Sequence, residues 1–249
     1  MNLILLDDAD FTAAPDPDSA PGSGQRVVLR GRRLAHVRQV CRARVGDRLR
    51  VGRTGGDVGE GRVLRLTPDE IELEVVLDRA PPPPAPVALV LALPRPPSLR
   101  KVLQQATAMG VKRIALIASR RVEKSYWQSH ALEPAAVEQQ LRLGLEQARD
   151  TRLPEVSLHP RFRPFAEDDL PRLLDGSLGL LADPDAAKPC PRGPVGSTGR
   201  ITLIVGPEGG FIPFELDLLR AQGVEAVGLG PRVLRVETAV VALLARLAP

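Results

Sequence analysis

Cysteine and histidine are scarce in this chain, and their scarcity removes whole classes of chemistry. Cys41 and Cys190 are the only cysteines, and His36, His130 and His159 are scattered, so no spacing resembles a metal site. Neither a structural zinc nor a disulfide framework is expected, and two distant thiols fit a reducing compartment. No apolar run is long enough to span a bilayer. The amino-terminal MNLILLDDADF has a short apolar stretch but neither a basic head nor a small-residue cleavage pattern, which argues against a secretion signal. The expectation is a soluble, cytoplasmic protein with no metal and no membrane partner. Several familiar loops are also missing: there is no phosphate loop of the form GxxxxGKS/T, no GxGxxG and no GxSxG elbow, so nucleotide hydrolysis and serine hydrolysis have little support.

Lysine is nearly absent too, at Lys101, Lys112, Lys124 and Lys188, and arginine carries most of the positive charge. A net charge of +4 permits an anionic partner without requiring one. The distribution says more, because ten arginines fall between Arg26 and Arg53 against a single carboxylate, Asp47. The planar guanidinium donates two hydrogen bonds to one phosphate. Arg26, Arg30, Arg32, Arg33, Arg38 and Arg42 are therefore candidates for a nucleic-acid face, the alternative being a solvated surface in a chain that favours arginine throughout.

Periodicity divides the chain. Residues 1–78 carry strand-like pieces at Val27–Leu29, Arg48–Val51, Gly61–Leu66 and Ile71–Leu77, with a short helix over 33–44 and a mobile loop from Ala13 to Gly24. They describe a small barrel-like β domain with a basic edge. A proline tract, Pro81–Pro84 with Pro86, holds neither helix nor interior strand and makes 79–86 a stiff linker. Over 87–249 strands and helices alternate: strands at Val87–Leu93, Ile114–Ala118, Val156–Leu158, Leu178–Ala182, Ile201–Val205 and Val224–Leu229, and helices capped by Ser98 and running from about Pro134, over 166–175, after Ile212, and through Val236–Leu247. That alternation argues a mostly parallel sheet with helices on both faces.

Two late strands end in glycine-proline turns. The stretch Ile201–Phe211, ITLIVGPEGGF, breaks a buried strand at Gly206, Pro207, Gly209 and Gly210, and Leu229–Ala239, LGPRVLRVETA, follows the next strand. In a parallel sheet both turns lie at the carboxyl edge, where α/β proteins bind ligands. An ordinary αβ turn, with Arg232, Arg235 and Glu237 merely charging the start of the last helix, is the alternative; arginines there oppose the helix dipole.

These two segments, with Glu215 following the first, resemble the signature segments of the RsmE family of SPOUT RNA methyltransferases. Leu93-Pro94-Arg95, QQATAMGVKRI at 104–114, LEQARDTRLPEV at 145–156 and GRRLAHVRQVCRARVGDRLRV at 31–51 are similar to further family segments. The resemblance implies an α/β fold, a trefoil-knotted SPOUT methyltransferase domain over 87–249 preceded by a small PUA-like RNA-binding β-barrel domain over 1–78. It implies a homodimer that binds S-adenosylmethionine and methylates N3 of a uridine in 16S rRNA, in the decoding region of the small (30S) subunit. The alternatives are a SPOUT methyltransferase acting on another base or a ribose, and a catalytically silent RNA-binding homologue.

Within that resemblance, Leu181, Gly206, Pro207, Glu208, Gly209, Gly210, Leu229, Gly230 and Leu234 are the expected cofactor-binding residues, the glycines through their backbone and Leu234 as an apolar wall. Arg232 and Arg235 are candidates for steadying RNA phosphate or a uracil anion, and Glu208 or Glu237 for taking the N3 proton or orienting an arginine. Gln105, Ala108, Ala148 and Asp150 depart from the family's usual residues, and Ile212 stands where a serine cap is common, leaving the helix at Pro213 without a side-chain cap.

Overall fold

Period-two alternation of apolar residues builds one of two compact units into which the chain divides, Met1–Pro83 with Leu145–Leu153, the other being Pro84–Gly144 with Pro154–Pro249. The computed structural model describes residues 2–12, 24–193 and 199–248; most of the loop expected at 13–24 lies outside them, as do 194–198 of the long loop before Ile201.

The first unit holds β1 (Ile4–Leu6), β2 (Gln25–Leu29), β3 (Arg48–Arg53), β4 (Val58–Leu66) and β5 (Ile71–Arg79) in the order β1-β3-β4-β5-β2. Only β1 with β3 is parallel. In β5 Ile71, Leu73 and Val75 are buried while Glu72 and Glu74 turn outward, the pattern of a sheet with one dry face. Beyond β1, Phe11 bridges Val27 and the Thr12 N–H donates to the Arg26 carbonyl at 3.0 Å. The chain leaving one end of the sheet thus meets the strand at the other end, which curls the sheet toward a barrel as the sequence suggested. The expected helix at 33–44 starts earlier, at Gly31–His36, continues as a π turn over Val37–Cys41 and stops where Arg42 adopts a left-handed φ of 51°.

In the second unit β6 (Val87–Ala92), β7 (Arg113–Ile117), β8 (Glu155–His159), β9 (Leu178–Ala182), β10 (Ile201–Val205) and β11 (Glu225–Val227) form one parallel sheet ordered β11-β9-β10-β6-β7-β8. Every residue of β10 is buried, as a parallel strand covered on both faces requires. The helices Pro96–Ala108 and Val236–Leu247 pack together, the first burying Leu99, Val102, Leu103 and Ala106 and the second Val240, Leu243, Leu244 and Leu247. Ser98 does not cap the first of these: the helix begins at Pro96, since two prolines need no N–H partners in a first turn, and Ser98 is buried inside it. Among the described residues no helix is long and apolar enough to cross a membrane. The order β11-β9-β10 sets the site, because it brings three carboxyl ends side by side.

Candidate active site

The loops that leave β9, β10 and β11 enclose a cavity of about 650 Å³, within the range of roughly 300–1,000 Å³ usual for small-molecule sites. Its walls include Leu181 from the end of β9, Gly206, Pro207, Glu208, Gly209 and Gly210 after β10, and Leu229, Gly230 and Leu234 after β11. These are the nine residues that the sequence nominated for a cofactor. Arg232, Arg235 and Glu208 line the same space, and Val205, Val227, Leu216 and Leu243 make its apolar floor.

Each loop has a local cause. At Gly210 φ is 72°, and its N–H closes a turn on the Pro207 carbonyl at 2.8 Å; a side chain would strain that backbone. The turn delivers the chain to Ile212, which precedes the helix Pro213–Ala221. An isoleucine side chain has no acceptor, so the cap comes from inside the helix. Glu215, 3% exposed, accepts the Ile212 N–H at 3.0 Å and the Arg120 N–H at 2.6 Å. One buried carboxylate therefore ties the glycine loop to the segment after β7. Next to Arg120, Arg121 donates to the Gly209 carbonyl and lines the cavity.

After β11, Gly230 has a φ of 111° and the chain runs irregularly to Arg235, whose carbonyl accepts the Thr238 and Ala239 N–H groups at 2.9 and 2.8 Å. Arg232 and Arg235 thus stand just ahead of the helix Val236–Leu247. They are exposed, and among the described residues neither has a carboxylate partner. Two cations beside the positive end of a helix dipole repel it, and an anion placed there relieves both.

Glu237 occupies other surroundings. It is buried in the first turn of that helix, is not part of the cavity wall, and pairs with Lys101 at 3.5 Å. Its own backbone N–H, then the Ser98 hydroxyl and Lys101, hold its carboxyl below the usual range against the opposing effect of burial. On the β9 side Asp183 and Asp185 join the wall, the Asp183 carboxylate accepting the Asp185 N–H at 3.0 Å. That loop is pinned further on, where Arg246 donates to the Cys190 carbonyl at 2.6 Å, and burial pushes the Cys190 thiol up. Among the described residues no cluster of His, Cys, Asp or Glu is placed to hold a metal ion.

In the first unit the six nominated arginines are not equivalent. Arg26 meets Glu72 at 2.9 Å, Arg30 meets Glu70 at 2.5 Å, Arg32 meets Glu146 at 2.7 Å and Arg33 meets Asp10 at 2.5 Å. Arg38 donates to the Pro68 carbonyl at 3.2 Å, whereas Arg42 is exposed. Glu72 of β5, Glu70 just before it, Asp10 and Glu146 thus neutralise part of the basic edge, and the Arg30 bond holds the Glu70 carboxyl below its usual range.

The sequence profile of the RNA methyltransferase domain family matches residues 81–248. The chain belongs to this family. A ribosomal RNA small subunit methyltransferase E from Treponema pallidum is 29% identical over 222 residues, 86% of this chain and 81% of the relative. The protein of the same name from Mycobacterium bovis is 28% identical over 237 residues, 89% of this chain and 86% of its own. Among solved structures, ribosomal RNA small subunit methyltransferase E from Neisseria gonorrhoeae, crystallised with S-adenosyl methionine, superposes with a TM-score of 0.73 at 23% identity, covering 98% of this chain and 95% of that one. For this member of the RNA methyltransferase family, the wall residues Arg121, Asp183 and Asp185 and the bridging role of Glu215 escaped the sequence reading. Arg121 and Asp183 carried one signal that was available, since each lies just past the carboxyl end of a strand in the same sheet.

Proposed function

We propose that this chain transfers a methyl group from S-adenosylmethionine to N3 of a uridine in 16S rRNA, as a cytoplasmic homodimer. The observation that carries the reading is the meeting of three strand-end loops around one cavity lined by Gly206, Gly209, Gly210 and Gly230 and by Arg232, Arg235 and Glu208. The cavity's size and mixed lining fit a cofactor with an apolar base and charged ends: backbone groups of Gly206, Gly209, Gly210, Leu229 and Gly230 meet polar edges, and Leu181 and Leu234 flank a flat ring. When bound, S-adenosylmethionine supplies an electrophilic methyl group on a sulfonium.

The remaining work falls to the chain. The glycine loops fix the position of attack, and alignment of donor and acceptor is where such a reaction gains most. Arg232 and Arg235 hold an RNA phosphate or stabilise negative charge on the uracil ring, which makes its N3–H more acidic. Glu208, at the rim, takes the N3 proton; Glu237, ionised and engaged with Lys101, holds the start of its helix instead. Val233, 80% exposed beside the cavity, is an apolar side chain that a second copy would cover.

Two measurements test the proposal. Calorimetry with S-adenosylmethionine detects cofactor binding, whose absence in a folded protein refutes the enzyme. Primer extension on 16S rRNA from wild-type and deletion strains follows the product, because an N3-methyl group blocks base pairing and stops the polymerase. A stop present only in the wild type supports the uridine N3 assignment. Cofactor binding with no such stop moves the target to another base or a ribose. Within the site, Arg232→Ala that leaves methylation and RNA affinity intact removes Arg232 from the mechanism.

A further inference from the structure

Sorting the arginines between Arg26 and Arg53 by partner, not by position, isolates one turn. Arg26, Arg30, Arg32, Arg33, Arg48 and Arg53 each meet a carboxylate, and Arg38 a backbone carbonyl. Arg50 is exposed and also lacks an ion-pair partner among the described residues, since Glu60 opposite it in the β3–β4 register bonds Arg48, but it stands alone on a strand. Arg42 and Arg44 are exposed, two residues apart, and among the described residues have no ion-pair partner. Asp47, the nearest carboxylate in sequence, accepts the Arg44 backbone N–H at 2.7 Å, which leaves the Arg44 guanidinium free of that bond. Flanking the two cations in sequence, Val40 and Val45 are 65% and 64% exposed, large apolar side chains in open solvent. The left-handed φ of 51° at Arg42 is costly for a residue with a side chain and is set where the π turn ends, a kind of strain that concentrates at functional positions.

We propose that the turn Val40–Gly46 is the RNA-contacting surface of the first unit: Arg42 and Arg44 grip successive backbone phosphates while Val40 and Val45 pack on the sugar or base between them. The inference rests on the rRNA methyltransferase reading above and narrows its RNA-binding set. The physics favours this turn over the rest of the basic edge. A guanidinium already bonded to Glu70 or Glu72 must give up that bond to take a phosphate, so the exchange gains little, whereas Arg42 and Arg44 give up only water while the phosphates release their counterions.

The test uses the full-length protein and a 16S rRNA transcript, with affinity measured against salt. Arg42→Gly with Arg44→Ala is compared with Arg26→Ala with Arg30→Ala. Glycine accepts the backbone at position 42, so the first variant keeps its fold, and circular dichroism checks it. Each phosphate contact contributes roughly 0.7 to the slope of log affinity on log salt for single strands. Loss of two contacts therefore lowers the slope by about 1.4 and weakens binding on the order of 25-fold at 0.1 M salt. The Arg26 and Arg30 pair changes affinity less than threefold, and Arg42→Lys with Arg44→Lys restores most of the slope. Equal losses from both pairs, or unchanged RNA affinity in the turn variant, overturn the proposal. Calorimetry with S-adenosylmethionine runs beside it: a wild-type protein that binds the cofactor but no RNA refutes the functional reading itself, and the turn's role with it.

Discussion

Removing the Glu215 carboxylate tests how the glycine loop is held. Its two oxygens accept backbone N–H groups from Arg120 and Ile212, at 2.6 and 3.0 Å, and the side chain is almost fully buried. Hydrogen bonds to a charged group contribute about 1.5–3 kcal/mol each, and a buried donor left without a partner forfeits the full amount. Two such bonds set an upper limit near 6 kcal/mol; water entering the space left by Glu215→Ala restores part of it, so a loss of about 3 kcal/mol is expected. For a unit of this size 1 kcal/mol moves the midpoint by roughly 2–4 °C, giving a fall of about 6–12 °C. Glu215→Gln keeps one acceptor but turns an amide N–H₂ toward a donor, and about half the loss follows. Trp127, the only tryptophan, belongs to the same unit, so its fluorescence reports this transition. Calorimetry then measures the loop: Glu215→Ala is expected to weaken S-adenosylmethionine binding at least tenfold at a temperature where the protein is folded. A midpoint within 2 °C of wild type, or an unchanged cofactor affinity, would refute the reasoning that this carboxylate sets the loop.

Arg121→Ala removes an exposed donor to the Gly209 carbonyl, so thermal stability changes by less than about 1 kcal/mol while cofactor affinity falls several-fold by calorimetry. Gly210→Ala forces a side chain onto a φ of 72° and costs about 1–2 kcal/mol in denaturant unfolding, with weaker cofactor binding again. Glu237 is more acidic folded than unfolded, so its contribution is complete above the unfolded value of about 4.3 and disappears as pH falls through the lower folded value. Glu237→Gln therefore lowers the midpoint at pH 7, and the gap from wild type closes on acidification below about pH 4. Thiol titration with a disulfide reagent finds Cys41 reacting fast in the native protein and buried Cys190 only after unfolding; two fast thiols contradict the packing around Arg246.

How far the sequence could be read depended on the range of the forces involved. β6, β9 and β10 were legible to the residue or nearly so, because short runs rich in aliphatic residues with glycine and proline close by leave one reading. β1 was not, since three residues, Ile4–Leu6, are too few to show a period, and the strand exists only because β3 offers a parallel edge. The helix cap at Ile212 escaped for a related reason. Its acceptor, Glu215, is visible three residues on, yet its second bond to Arg120 joins residues 95 apart.

The same distinction governs the charges. In one dimension Arg26, Arg30 and Arg42 belong to a single basic run, because Glu72 and Glu70, the partners of Arg26 and Arg30, lie 46 and 40 residues away. The β2–β5 register puts Arg26 beside Glu74 and Val28 beside Glu72, and the strand edge that looked uniformly basic becomes a ladder of opposite charges. Pairing of that kind depends on register, and register is fixed by which faces are apolar, not by the charges it aligns. A turn outside the ladder has no such constraint. Arg42 and Arg44 lie outside that ladder, in the turn between a helix end and β3, and among the described residues neither has an ion-pair partner.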